Sequence, residues 1–135
     1  MDLRGGQTLI VNDPSVIAEL RELANRYETA LMANDLSTLD GMFWHSPHVV
    51  RLGIGENLYG IESIAAFRAA RPGGSPPRRV IRTTISSFGH DMGVISVEFQ
   101  RIGAVAIGRQ SQSWVRFPEG WRIVAAHVSL MASGH

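Results

Sequence analysis

From Val16 onward, apolar side chains recur at spacings of four, three, four and four: Val16, Leu20, Leu23, Tyr27 and Leu31. That is one stripe of a helix, and Glu19, Arg21, Glu22, Arg26 and Glu28 fill the opposite face. Asp13 before Pro14 supplies a start signal, with Asp as N-cap and Pro at the first helical position. The last third of the chain changes period. Gly108 to Phe117 and Trp121 to Met131 alternate in twos around Pro118-Glu119-Gly120, which predicts a hairpin. A type I turn with a Gly bulge would set Phe117 beside Trp121, Val115 near Ile123, Ser113 near Ala125, Ser111 near His127 and Arg109 near Ser129. One face then runs from apolar at the turn to polar at the far end. It is either one wall of a pocket or a sheet face that is simply solvated.

Between these ends the pattern is shorter in range. Asn34-Asp35 breaks the first helix and recaps a second, Leu36 to Gly41. His48 to Leu52 and Glu56 to Tyr59 read as short strands. Gly60 opens a third helix, Ile61 to about Arg71, which Pro72 ends. Pro72 to Pro77 is a loop too short to separate domains. Strands over about Arg79 to Phe88 and Val94 to Ile102 follow, and then the hairpin. Three helices, small strands and a four-stranded meander predict an α+β domain with helices on a curved antiparallel sheet.

Composition narrows the chemistry. With 135 residues the chain is one domain, its core spanning about 13–131. The net charge of +1 gives no reason to expect nucleic acid or a membrane surface as a partner. All 13 basic residues are arginine, which rules out lysine Schiff-base or lysine-base catalysis. The absence of cysteine removes disulfides, a thiol nucleophile and thiolate metal sites. The first residues, Asp2 and Arg4 among them, hold no apolar stretch of signal-peptide length, and no run approaches a transmembrane span, so a cytoplasmic protein is expected. His45 and His48 lack a carboxylate at ligand spacing, and no metal or other cofactor is expected. No nucleophile elbow or phosphate loop is present.

Individual residues then stand out by type. Arg51 interrupts the apolar run Val49-Val50-Arg51-Leu52. Arginine is seldom buried alone, so it either points outward from an edge strand or meets an anion. Arg109, Ser111, His127 and Ser129 share one face of the expected hairpin. There Arg109 can hold a carboxylate or pair with Glu98 or Glu56. Arg71, just before Pro72, is either a ligand for substrate or a partner for the helix dipole. Tyr27 by position alone is a core tyrosine with its hydroxyl at the rim.

Several dispersed blocks agree, in order, with one family. These are Arg26-Tyr27-Glu28, Phe43-Trp44-His45, Val50-Arg51-Leu52-Gly53, Glu56-Asn57-Leu58-Tyr59-Gly60, Phe67 to Pro72, Gly108 to Trp114 and Gly120 to Met131. The chain resembles the nuclear-transport-factor-2-like superfamily in its SnoaL-like branch. Within it, the similarity is to the amidase-associated family of oxalurate and cyanuric-acid catabolism that includes the 1,3-dicarboxyurea amidohydrolase. The resemblance implies an NTF2-like cone, and a cofactor-independent hydrolase of a small carboxylated urea or related amide. It makes Tyr27 and Arg51 the catalytic pair; Arg109, Ser111, His127 and Ser129 on the expected hairpin face, and Arg71 at the end of the third helix, are the candidate substrate-binding residues read from their positions. The alternatives are a non-catalytic ligand-binding or accessory subunit beside a pathway amidase, and a lyase or isomerase of the SnoaL-like type. Trp114, Val124, Ala126 and Val128 fall on the face opposite the expected pocket wall, an apolar patch that predicts a homodimer with Trp114 near its interface.

Overall fold

A computed structural model describes residues 8–132 of the chain; Asp2 and Arg4 lie outside them. The elements run α1 (Pro14–Met32), α2 (Leu36–Gly41), β1 (Val50–Leu52), β2 (Asn57–Tyr59), α3 (Ile61–Ala70), β3 (Arg78–Phe88), β4 (Met92–Arg101), β5 (Ile107–Phe117) and β6 (Gly120–Leu130). The helix starts follow the sequence signals. The Asp13 carboxylate accepts from the Ser15 amide at 2.9 Å to cap α1, and Asp35 accepts from the Thr38 amide at 3.2 Å to cap α2. Asn34 and Gly60, both at positive φ, turn the chain before α2 and α3.

The strands form one six-stranded sheet in the order β2-β1-β6-β5-β4-β3. It is mixed rather than wholly antiparallel, because β1 runs parallel to β6 with Arg51 beside Ala126. That pairing joins distant segments, so no local turn signal announces it.

The hairpin departs from its expected register near the turn. Ser113 pairs with Ala125, Ser111 with His127 and Arg109 with Ser129, as the alternation implied. Trp114, however, pairs with Ile123, which leaves Val124 as an extra residue in β6. This bulge switches the strand's phase. Trp121 and Ile123 are buried before it and Ala126 after it, while β5 buries Gly108, Gln110, Gln112 and Trp114 throughout. The face of Arg109, Ser111, His127 and Ser129 is therefore the outward one, which corrects their assignment to the pocket wall. Trp114 is fully buried on the inner face, so it cannot lie in an interface across the outer face. The apolar patch from which a homodimer was expected is largely inside.

The helices cover the inner face. On α1, Val16, Leu20, Tyr27 and Leu31 are buried, as the stripe predicts. Leu20 fills the space above Gly93, where a Cβ would collide with it. Fully burying one such leucine contributes about 1.5–3 kcal/mol. This end of the cone is sealed by Val16, Leu20, Trp114, Ile123 and Trp121. Arg116 lies over the Trp121 ring at 4.6 Å, and its Nη1 donates to Glu19 at 2.7 Å. The Trp121 indole donates to the same carboxylate at 2.9 Å. No helix of the described residues is long and apolar enough to cross a membrane.

The hydrogen bonds from Arg116 and Trp121 hold the Glu19 carboxyl below its ordinary pKa. A carboxylate shifted down contributes stability above its unfolded pKa and loses it as pH falls through the folded value. Because the Glu19 side chain is 43% exposed, solvent screens the ion pair. Glu19→Gln should destabilise the protein by about 0.5–1 kcal/mol at neutral pH. Thermal melts should show that difference shrinking as pH falls below the ordinary glutamate pKa, and a pH-independent difference would assign the effect to packing.

Candidate functional site

At the opposite end of the cone the helices part from the sheet and enclose a cavity of about 170 Å³. Tyr27 and Leu31 enter it from α1, and Phe67, Arg68 and Arg71 from the end of α3. The sheet supplies Arg51 (β1), Arg78 (β3), Phe99 and Arg101 (β4), Gln110 (β5) and Val128 (β6). The sequence-nominated Tyr27, Arg51 and Arg71 thus meet in one place. Arg109, Ser111, His127 and Ser129 do not. Arg109 stands opposite Glu98 on the outer face and donates to the Ser129 hydroxyl at 3.3 Å.

Arg51 faces inward because its β6 neighbour Ala126 does, and alanine leaves room for the long side chain. Its Nη1 donates to Glu56 Oε2 at 2.8 Å, and its side chain is 12% exposed. Glu56 is set by the turn between β1 and β2, where the Gly53 amide donates to its carbonyl at 2.8 Å. A Cβ on Gly53 would collide with the end of the Glu56 side chain, so a larger residue there would push the carboxylate from its place beside Arg51. The Arg51 guanidinium also lies 5.6 Å from the Phe67 ring centroid, an attractive arrangement for a cation.

Arg78 is the most enclosed of the guanidiniums in ion pairs, with 4% side-chain exposure. It makes two hydrogen bonds to Glu28, at 2.7 and 3.0 Å, and a third to Gln110 Oε1 at 3.1 Å. Its guanidinium carbon sits 4.2 Å from the Phe99 ring centroid. Phe99 in turn lies against Gly108, where any side chain would strike the ring. Arg68 is buried with Nε 3.3 Å from Asp40 and its guanidinium over Phe43 at 5.0 Å. Its Nε and Nη2 lack hydrogen-bond partners of good geometry among the described residues.

Arg71 caps the C-terminus of α3 in an extended conformation, with ψ of 113°. The chain has left the helix there, and the side chain turns to the cavity, 5.8 Å from the Phe67 centroid. Burial, together with nearby Arg101 and Arg51, pushes its guanidinium below the usual arginine pKa. Five arginines therefore line a small space, and Glu56 is the one carboxylate among its lining residues.

Sequence reasoning missed Arg68, Arg78, Arg101 and Gln110, and it named Glu56 only as a partner for Arg109, whereas Glu56 pairs with Arg51. Arg68 carried a usable signal, being four residues after buried Ile64 on the same helix face. Arg78 and Arg101 are paired only across β3 and β4. No local pattern joins them.

A family model described as AtzH-like matches residues 9–134. The chain belongs to the AtzH-like family. A protein of unknown function from Pectobacterium atrosepticum is 56% identical, over 90% of this chain and 95% of that one, with a TM-score of 0.87. A cystatin-like fold protein from Burkholderia xenovorans is 40% identical over 94% of this chain and 100% of that chain, with a TM-score of 0.88. An NTF2-like superfamily protein from Salmonella enterica is 25% identical over 90% and 95% of the two chains, at a TM-score of 0.72. No curated protein matches the chain. Membership of the AtzH-like family and the NTF2-like fold agrees with the resemblance read from the sequence blocks at the level of the NTF2-like superfamily.

The Arg78–Glu28 pair yields a stability test. Glu28→Ala leaves Arg78 enclosed without its carboxylate and should cost about 3–5 kcal/mol in chemical denaturation. Glu28→Ala combined with Arg78→Met should recover much of that loss. Equal destabilisation by the single and double variants would mean that the uncompensated charge is not the cause.

Proposed function

We propose that the arginine-walled cavity is the active site of a cofactor-independent hydrolase for a small carboxylated urea or related amide. The observation that carries this reading is the convergence of Tyr27 and Arg51 on one cavity of about 170 Å³. That volume is well below the roughly 300–1,000 Å³ of pockets for drug-sized ligands, so the occupant must be small. The guanidinium surplus calls for an anion, and a planar carboxylate suits the Arg51 fork.

In this mechanism Arg51 binds a substrate carboxylate, with Glu56 fixing its orientation. Water adds to the amide carbon, and the carbonyl oxygen gains negative charge. The Tyr27 phenol hydrogen-bonds to that oxygen or to the departing nitrogen. The C–N bond then breaks, a proton passes to the leaving nitrogen, and the new carboxyl group remains on carbon. Phe67, Phe99 and Val128 limit solvent around the reacting bond and strengthen these interactions.

One observation favours a second reading, a ligand-binding subunit that works beside a separate amidase. Glu56 is engaged by Arg51 at 2.8 Å, so the cavity's one lining carboxylate is not free to act as a base. The two readings separate when the purified protein is incubated with N-carboxylated ureas and carbon dioxide and ammonia are followed. Release above the uncatalysed rate supports the hydrolase. Saturable binding without release supports the subunit, and absence of both overturns the site assignment.

Arg51→Ala should weaken binding by about 2–5 kcal/mol while circular dichroism stays native. Tyr27→Phe retains the ring in the core and should lower turnover with little change in binding. Wild-type turnover by Tyr27→Phe would reduce that residue to packing.

A further inference from the structure

Three of the cavity's arginines have carboxylate partners, and the three contacts differ in quality. Arg51 Nη1 donates to Glu56 at 2.8 Å, and Arg78 makes two hydrogen bonds to Glu28 at 2.7 and 3.0 Å. Arg68 has only a 3.3 Å approach of Nε to Asp40 Oδ1, without the geometry of a hydrogen bond. Arg68 Nε and Nη2 and Asp40 Oδ1 are all buried with no hydrogen-bond partner among the described residues. The Arg68 side chain is 9% exposed and lines the cavity; Asp40 does not line it.

A buried guanidinium has given up its water, so unused donors cost it free energy that a loose ion pair does not return. An acceptor supplied from the cavity would satisfy them with charge-assisted hydrogen bonds. Asp40 loses little if Arg68 departs, because water already reaches its side chain, which is 29% exposed. The Phe43 ring, 5.0 Å from the guanidinium carbon, stabilises the cation without occupying its donors. Asp40 belongs to α2, a helix with no residue in the cavity lining, so this one loose contact joins the cavity to an element outside it.

We propose that Arg68 moves between two partners, resting on Asp40 when the cavity is empty and turning to an anion bound there, so that Asp40 competes with the ligand. This rests on the reading of the cavity as a binding site for a carboxylated small molecule, and it adds a control on that site exerted from α2. A ligand shifts such an equilibrium only by its own preference for the released arginine. Removing the competitor should therefore tighten binding, the opposite of what loss of a supporting contact would do.

The probe is acetate, titrated into ¹⁵N-labelled protein and followed by nuclear magnetic resonance, which reads weak binding. Asp40→Asn keeps the shape of the side chain and should bind acetate about five-fold more tightly than wild type. Arg68→Gln should weaken acetate about ten-fold. Asp40→Asn should add nothing in the Arg68→Gln background, because the competition runs through that one guanidinium. Wild type carries a readout of its own: saturating acetate should shift the backbone amide signals of Leu39 and Asp40, although α2 does not touch the cavity.

Unchanged or weakened acetate binding in Asp40→Asn overturns the proposal while leaving the Arg51 reading standing. A gain from Asp40→Asn that persists in the Arg68→Gln background also overturns it, since the cause would then be the lost negative charge acting at a distance. Unmoved Leu39 and Asp40 signals in acetate-saturated wild type overturn it without any variant. If acetate does not bind wild type at all, the cavity reading fails and this proposal with it.

Discussion

Leu20 packs into the space above Gly93, and that contact sets how closely α1 approaches the sheet. Glycine in β4 lets the helix come down on one end of the inner face, where Trp114 and Ile123 complete the seal. The sheet diverges from the helices away from that seat, and the inner face there cannot be closed by α1 alone. A helix nineteen residues long therefore does two jobs: its first half fills a core and its second half, with Tyr27 and Leu31, walls a cavity. The same tapering holds across β5, whose inward row passes from Trp114 through Gln112 to Gln110 and Gly108. Apolar burial dominates at one end and hydrogen bonding at the other.

Placing five guanidiniums around a small space is tolerated because three of them have carboxylate partners, two of those partners lying outside it. Glu28 and Asp40 hold Arg78 and Arg68, and neither carboxylate lines the cavity. Aromatic faces share the load, with Phe99 under Arg78, Phe43 under Arg68, and Phe67 near both Arg51 and Arg71. Such rings stabilise a cation without offering the full negative charge that would compete with an anionic ligand. The cavity keeps its positive potential while individual arginines stay oriented. Arginine suits this better than lysine would, because a planar fork can satisfy an internal carboxylate on one edge and still present donors on another.

Much of the architecture was legible along the chain. Asp13-Pro14 and the Val16–Leu31 stripe placed α1, Asp35 placed α2, and Gly60 with Pro72 bracketed α3. These signals work because caps and a 3.6-residue period are local physics, fixed within one or two turns. Tyr27, Arg51 and Arg71 were legible as site residues for different reasons. Arg51 is a charge in an apolar strand, Arg71 sits where a helix must end, and Tyr27 stood out by resemblance.

What only the tertiary structure decided is which way the polar strands face and which distant residues meet. Gln110, Ser111, Gln112 and Ser113 alternate without an apolar member, so their sequence carries no phase. The phase came from Trp114, buried between helix and sheet, and from Val124, whose bulge turned the far half of β6 over. With that, Arg109, Ser111, His127 and Ser129 went outward. Arg78 and Arg101 joined the cavity through a cross-strand pairing, and Arg68 through the packing of α3 on α2. The sequence by itself determined each element, the core of α1 and the arginine-only basic complement. The site's membership was decided by long-range pairing, where one extra residue in a strand exchanges one face for the other.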